Sequence, residues 1–184
     1  MRSLTMIAAM VIIIGSWVLP CPAGAQETEV MTEKQFTLRQ IGTVHKAKAH
    51  TTLVLNKDSE PALQGLDGFS HVWVLYWFDR NDTPKKRSIL QVYPRGNKKN
   101  PLTGVFACRA PVRPNLIGLS LCRVLSIQEN VVEIDEIDAF HNTPVLDLKP
   151  YIPSCDSAEA SFPSWLKKCT RARKKSNNPG NGRR

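Results

Sequence analysis

The sequence feature that most limits the possible folds of this chain is FSHVWVLYWF at residues 69–78, a run of aromatic and β-branched residues. Such a composition is typical of a β-strand. Residues 61–66 and 162–168 predict short helices, and QEN at residues 128–130 predicts a hairpin turn. Many short strands separated by turn residues indicate a mainly all-β fold, an antiparallel barrel or sandwich with one or two short helices. The other predicted strands are residues 36–44, 51–55, 89–93, 104–108, 117–127 and 131–137, and a short one inside residues 138–151.

The first 25 residues predict a signal peptide. Arg2 supplies the positive start, residues 6–19 are apolar, and AGA at residues 23–25 matches the small-residue pattern before a cleavage site. The apolar stretch is short for a membrane span. We therefore expect export, to the periplasm or the medium. A true start further along the chain would instead leave the protein in the cytoplasm.

The positive charge of the chain is concentrated at its end. The formal net charge is +9, yet residues 26–166 contain 16 basic and 16 acidic residues. Residues 167–184 hold 8 basic residues and no acid, without apolar periodicity, which predicts a disordered tail. The tail could hold RNA phosphates or an anionic surface, or only aid solubility. The predicted organisation is a signal peptide, one β domain at residues 26–166, and this tail.

The cysteines and histidines predict disulfides more readily than metal binding. Cleavage after residue 25 leaves four cysteines, an even number that permits disulfides in an exported protein. Cys155 and Cys169 flank a short proline-containing segment that such a bond could close, and free buried thiols are the alternative. Because no CxxC occurs and the four histidines are scattered, we expect no metal site.

Two proline-containing segments indicate a binding site formed by rigid loops. In GVFACRAPVRPNLIGLSLCRV, residues 104–124, proline removes a backbone donor and restricts the residue before it, which predicts a stiff loop. Arg109, Arg113 and Asn115 could face a common cavity and bind an anion. Surface arginines on a proline-rich turn are the alternative. The second segment, DAFHNTPVLDLKPY at residues 138–151, repeats the pattern of a polar turn and rigid prolines.

Three stretches together resemble one known family. LQGLDGFSHVWVLYWF, GVFACRAPVRPNLIGLSL and NTPVLDLKPYIP are similar to the motifs GLExFSHxWVLF, GVFATRxxxRPNPIGLS and DGTPVLDIKPY of the TsaA/TrmO family. They occur in the family's order and cover most of residues 62–153. Three matched motifs with this context rarely coincide.

The resemblance implies a fold, a cofactor and a reaction. It implies a small antiparallel β-barrel that forms a homodimer and binds S-adenosylmethionine. It also implies methylation of N6 of threonylcarbamoyl-modified adenosine in the anticodon loop of tRNA, with no catalytic residue assigned. The residues expected at the cofactor are Asp79, Arg80, Arg109, Leu119, Asp138, His141, Asn142, Thr143 and Pro144, and those expected at the substrate are Arg113, Asn115 and Lys149.

The sequence also departs from the family pattern. The Arg-Gln-Pro-Gly element usual between the first strand and the GLExFSH motif has no counterpart in residues 44–64. His141 and Asn142 stand in place of Asp and Gly, and Leu116 in place of the second proline of RPNPIG. Export would also separate the protein from S-adenosylmethionine and mature tRNA.

Three hypotheses follow. The first is that the chain is a tRNA methyltransferase, whose basic tail helps to hold tRNA. Alternatively it is an exported binding module that uses the same pocket for an unknown small ligand without transfer chemistry. The third possibility is a structural protein whose motifs maintain the barrel and dimer while the tail binds an anionic surface.

Overall fold

The computed structural model describes residues 34–47 and 50–166. The predicted signal peptide and basic tail lie outside the described residues. The chain divides into two compact units, Met1–Phe36 and Thr37–Arg184, and the fold belongs to the second. The predicted start of the β domain at residue 26 stays a prediction. Among the described residues, no helix has the length and apolar character needed to cross a membrane.

Six antiparallel strands close into a barrel, which confirms the predicted all-β barrel. Their order around the barrel is β1-β2-β7-β6-β3-β8, and the remaining two strands, β4 and β5, pair only with each other. Closure matters because it leaves these six strands without an unpaired edge. The strands are β1 Gly42–Lys46, β2 Thr51–Leu55, β3 His71–Trp77, β4 Gln91–Val92, β5 Thr103–Gly104, β6 Ile117–Gln128, β7 Val131–Ile134 and β8 Pro144–Pro150.

Alternation along each strand builds the barrel core. In β3, Val72, Val74 and Tyr76 are buried, while the residues between them are half-buried on the outer wall. Side chains of successive strand residues point to opposite faces, so one set fills the interior. The interior is aliphatic apart from Tyr76 and Cys122. Burial raises the pKa of the Cys122 thiol to about 12, so this cysteine is an inert core residue at neutral pH.

Short turns join the paired strands. The β6–β7 turn at Glu129 and Asn130 confirms the predicted hairpin, and Glu129 adopts a left-handed φ of 50°. The β1–β2 connection is residues 47–50, and Ala47 N–H donates to the His50 carbonyl at 2.9 Å. Residues 44–64, where the family has its Arg-Gln-Pro-Gly element, here include the end of β1, all of β2 and the 3₁₀ turn Lys57–Leu63.

The long connection from β3 to β6, residues 79–116, is here called the arm. It contains the 3₁₀ turn Asp79–Asn81, the helix α1 Pro84–Arg87, the β4–β5 pair, and the 3₁₀ turn Val105–Ala107. Its two ends meet where Phe78 N–H donates to the Leu116 carbonyl at 2.8 Å. The arm therefore leaves and rejoins the barrel at one point.

The predicted elements are mostly confirmed, although several strands are shorter than predicted, β7 for example ending at Ile134 rather than at residue 137. Three segments differ more. Residues 36–41 are not strand, because β1 begins only at Gly42. Residues 105–107 form a 3₁₀ turn where strand was predicted. The predicted helix at residues 61–66 is instead two 3₁₀ turns, Lys57–Leu63 and Leu66–Gly68. The helices are α1 and α2, Pro153–Asp156, and residues 164–166 are helical within the stretch predicted as helix.

Candidate functional site

One end of the barrel, here called the site end, gathers the three motif segments. The last residues of β1 and β3 and the first residues of β6 and β8 meet there, since neighbouring strands are antiparallel. Tyr76 pairs with Gly118 on one side and with Val145 on the other. The loop before β8 and both ends of the arm therefore lie around the end of β3.

The loop before β8, residues 138–143, is held against β1 by backbone hydrogen bonds. Asn142 N–H donates to the Val44 carbonyl at 2.7 Å, and Val44 N–H donates to the Thr143 carbonyl at 2.9 Å. Asn142 has a φ of 67°, a conformation that asparagine tolerates better than most residues. The turn thus keeps its left-handed residue without the family's glycine.

His141 has a structural contact in place of the family's aspartate. Its Nδ1 accepts a hydrogen bond from the Lys46 backbone N–H at 3.1 Å, and its ring meets His45 edge-on with 5.1 Å between centroids. The Lys46 ammonium donates to the Ile137 carbonyl at 2.7 Å. Residues at the end of β1 therefore hold the loop before β8 in place.

Tyr76 connects the barrel core to this loop, and the sequence analysis did not select it. Its hydroxyl donates to the Asp138 carbonyl at 2.8 Å and lies 3.3 Å from the Ser120 hydroxyl. Burial is the main cause that raises its pKa, and the charge of Arg109 acts on it in the opposite direction. A buried tyrosine whose hydroxyl needs a partner, at the end of an alternating strand, is the signal that could have found it.

Arg80 joins the arm to the loop before β8. Its guanidinium carbon lies 3.9 Å above the ring centre of Phe140, a cation–π contact. Phe140 is 60% exposed, so the ring retains an open surface beside the cation. Two of the predicted cofactor elements, the residues after β3 and the loop before β8, are thereby in contact.

A second arginine fixes the base of the arm. Arg87 Nε donates to Asp82 Oδ1 at 2.8 Å, and Arg87 Nη1 donates to the Pro114 carbonyl at 2.9 Å. The Trp77 indole also donates to Asp82, at 3.1 Å. These hydrogen bonds, that of Arg87 first, lower the pKa of the Asp82 carboxyl below its ordinary value.

The arginine-containing loop has one residue facing inward and one facing solvent. Arg113 Nη2 donates to the Val105 carbonyl at 2.8 Å, which ties the loop to the 3₁₀ turn Val105–Ala107 within the arm. Arg109 is exposed, close enough to Tyr76 for its charge to act on the phenol. Leu116, at the position of the family's second proline, is fully buried. The loop is anchored by an aliphatic side chain where the family pattern has a ring.

The structure brings most of the predicted site residues to the site end. Lys149 does not join them, because it lies toward the other end of β8, opposite Trp73, and pairs with Asp147 at 2.9 Å. Among the predicted site residues that lie at the site end, Thr143 is buried, and Arg113 and Pro144 are half-buried. Those exposed at the site end are Asp79, Arg80, Arg109, Asn115, Leu119, Asp138, His141 and Asn142.

Most of the residues expected at the cofactor are exposed at the site end. Two shallow surface hollows, of about 410 and 460 Å³, lie on the wall formed by β2, β6 and β7 and beside the turn Lys57–Leu63. Neither is lined by a residue expected at the cofactor or the substrate. A ligand at the site end would therefore rest on exposed side chains and loop backbone.

Comparison with known proteins decides the family. Residues 28–157 match the family described as tRNA-methyltransferase O N-terminal domain. The chain belongs to this family. The resemblance carried by the three motifs is thereby confirmed.

The chain is similar to a probable S-adenosyl-L-methionine-binding protein of Methanocaldococcus jannaschii, 40% identical over 66% of this chain and 96% of that protein. It is 43% identical to the human tRNA (adenine(37)-N6)-methyltransferase over 54% of this chain and 22% of that enzyme. The solved structure of TrmO from Pseudomonas aeruginosa matches with a TM-score of 0.57 and 28% identity, over 73% of this chain and 63% of that one. The chain therefore spans nearly all of the archaeal relative and less than two thirds of the solved TrmO.

Proposed function

We propose that this chain binds S-adenosylmethionine at the site end and transfers its methyl group to N6 of an adenine in tRNA. The observation that carries the proposal is the convergence of the three motif segments on the end of β3, where Tyr76, Arg80 and the loop before β8 are in contact. The names of the archaeal and human relatives support the ligand and the reaction class. The finer substrate, threonylcarbamoyl-modified adenosine in the anticodon loop, is part of this proposal.

The side chains at the site end fit the chemical groups of S-adenosylmethionine. Arg80 and Arg109 are exposed cations suited to its carboxylate, and Asp79 and Asp138 are exposed carboxylates suited to its ammonium and ribose hydroxyls. The open face of Phe140 offers a stacking surface for a flat ring.

The mechanism asks the protein for positioning. When bound, the sulfonium supplies an already activated methyl group, so no covalent intermediate with the protein is required. Tyr76 and Lys46 hold the loop before β8, and Arg87 holds the arm, so that groups on both can be kept in line with an incoming amine. Tyr76 is a positioning residue in this scheme, and no catalytic residue is assigned.

We further propose that two copies complete the site. The outer wall beside the site end is apolar: Trp73 lies opposite Leu121, and Leu75 opposite Leu119. Leu119 and Leu121 are exposed, as is Leu125 further along β6. An exposed apolar surface next to an open site is typical of an interface. A homodimer through this wall would cover it and border the cofactor surface at Leu119.

A second candidate function has one observation in its favour. Residues 44–64 contain no counterpart of the Arg-Gln-Pro-Gly element that contributes to the family's pocket. An exported binding module that holds a small ligand at the site end without methyl transfer would not need it. Export of the chain is also a proposal, and mass spectrometry of the mature N-terminus in fractionated cells tests it.

Titration calorimetry with S-adenosylmethionine tests the proposed cofactor. The full chain should release or absorb heat with a saturable isotherm, and Arg109→Ala should weaken binding by about tenfold through loss of one charged contact. Arg39→Ala, which removes the same side chain before the opposite end of β1, should leave binding unchanged. A flat wild-type titration at millimolar cofactor would refute the proposal. Binding without methyl incorporation into tRNA would support the binding module instead.

A further inference from the structure

The charges are segregated between the arm and the part of the chain that follows it. Residues 79–116 contain nine Lys and Arg and two acidic residues, whereas residues 117–166 contain two basic and eight acidic residues. The balanced total of the β domain thus hides two segments of opposite net charge. The basic one begins and ends at the site end.

Six of the nine arm cations are exposed. Three others hold the arm together: Lys86 donates to the Arg80 carbonyl and Asn81, and Arg87 and Arg113 make the contacts described above. Within the described part of the chain, none of the six exposed cations forms a salt bridge, whereas Lys57 and Lys149 elsewhere do. The six are Arg80, Lys85, Arg95, Lys98, Lys99 and Arg109.

The tip of the arm has a defined shape. Arg95 and Gly96 both have left-handed backbones, with φ of 59° and 66°. Asn100 Nδ2 donates to the Pro94 carbonyl at 3.0 Å, and Lys99 N–H donates to Asn97 Oδ1 at 3.0 Å. These contacts order the backbone that carries Arg95, Lys98 and Lys99. Less conformational entropy is then lost when the cations bind a partner.

The arm also carries an exposed aromatic residue. Phe106 is 81% exposed, although the turn that carries it is firmly held. Val105 N–H donates to the Leu90 carbonyl at 2.9 Å, and the Val105 carbonyl accepts the Arg113 guanidinium at 2.8 Å. An aromatic ring on an ordered turn, in the same segment as exposed cations without salt bridges, is a combination that binds single-stranded nucleic acid, through base stacking and phosphate contacts.

We propose that the arm is the RNA-binding surface of this protein, with phosphates at Arg95, Lys98 and Lys99 and an unstacked base on Phe106. This inference rests on the proposed function, since it names the surface by which the tRNA reaches the site end. RNA is favoured over a lipid surface because the two ends of the arm meet at the site end, where the proposed function requires an adenine to arrive. It assigns to the arm the role first expected of the tail at residues 167–184.

Filter binding of a tRNA transcript and of its isolated anticodon stem-loop to the full chain tests this proposal. Replacing Arg95, Lys98 and Lys99 together by alanine should weaken binding at least about tenfold at ~0.1 M salt and reduce the salt slope by roughly 2–3. Phe106→Ala should weaken binding roughly 5- to 150-fold and leave the slope unchanged. Arg39, Lys57 and Arg123, replaced together, make the control with the same charge change outside the arm.

Equal losses in the arm and control variants would overturn the proposal, as would RNA binding that survives the arm variant and disappears on deletion of residues 167–184. The proposal would also be overturned if the arm variant lost binding to phosphatidylserine vesicles but kept its binding to RNA. Calorimetry with S-adenosylmethionine on each variant separates this outcome from a failure of the proposed cofactor. Normal cofactor binding with unchanged RNA binding refutes the arm alone.

Discussion

Gly118 lies against the ring of Tyr76, and a side chain at residue 118 has no room unless that ring moves. A Cβ there would lie 2.6 Å from Tyr76 Cζ and 2.8 Å from Cδ2. Gly118→Ala must displace a buried ring, so we expect a loss of roughly 1–3 kcal/mol in the free energy of unfolding. Denaturant unfolding measures it, and S-adenosylmethionine affinity should fall too because Tyr76 positions the loop before β8.

Gly68→Ala is the matched control, since a Cβ at Gly68 meets no atom within 4 Å. Its unfolding free energy should change by less than about 1 kcal/mol. Equal stabilities for the two alanine variants would show that the ring of Tyr76 moves aside freely.

At the residue scale, the sequence predicted positions better than roles. The motifs located Arg113 correctly in a stiff loop, but its contact with the Val105 carbonyl depends on the path of the arm. For Tyr76, strand alternation predicts only a core residue. Its function comes from the Asp138 carbonyl, 62 residues away in sequence. Such long-range partners cannot be found from local pattern alone.

At the element scale, the arm is anchored by an ion pair that titrates. Arg87 and the Trp77 indole hold the pKa of Asp82 below its ordinary value of about 4. A lowered carboxyl pKa adds stability above the unfolded pKa, and this stability is lost as pH falls through the folded pKa. Wild type should therefore be more stable than Asp82→Asn at neutral pH, with a difference that shrinks as pH falls below the ordinary carboxyl pKa and through the lowered pKa of Asp82.

Urea unfolding across this pH range provides the measurement, and the Trp77 indole N–H signal reports the contact directly. In wild type the signal should shift as Asp82 becomes protonated. Asp67→Asn, at an exposed turn, should show no such pH-dependent difference from wild type. A constant gap between wild type and Asp82→Asn at all pH values would mean that the pair contributes nothing through its charge.

Elements defined by local alternation were predicted well, and those defined by distant contacts were not. Strand β2 was predicted with its observed bounds, because its β-rich composition is a local signal. Residues 105–107 have strand composition, yet Arg113 and the Leu90 carbonyl hold them in a 3₁₀ turn. Tertiary contacts override intrinsic preference in this segment.

At the scale of the whole molecule, the opposite net charges of the arm and of residues 117–166 were hidden in the sequence by a balanced sum. The division became visible only when the arm was located between β3 and β6. The apolar wall on β3 and β6 is a second surface of this kind. Its residues alternate with buried ones along the strands, so composition alone does not separate wall from core.

The apolar wall makes a prediction about assembly. Leu121 is 40% exposed and faces outward opposite Trp73, so Leu121→Glu should leave the barrel folded. In a two-fold dimer each substitution appears twice, and two buried carboxylates would oppose association. We expect light scattering after size exclusion to show a dimer for wild type and a dissociation constant raised at least about 100-fold in the variant. S-adenosylmethionine affinity should fall with it.

Leu38→Glu introduces the same charge at a 57% exposed leucine before β1, outside the wall, and should remain dimeric. A wild-type monomer at micromolar concentration would refute the dimer. If Leu121→Glu is monomeric yet binds S-adenosylmethionine with wild-type affinity, the second copy contributes nothing to the site. The open surface at the end of β3 would then be the complete cofactor site of a single chain.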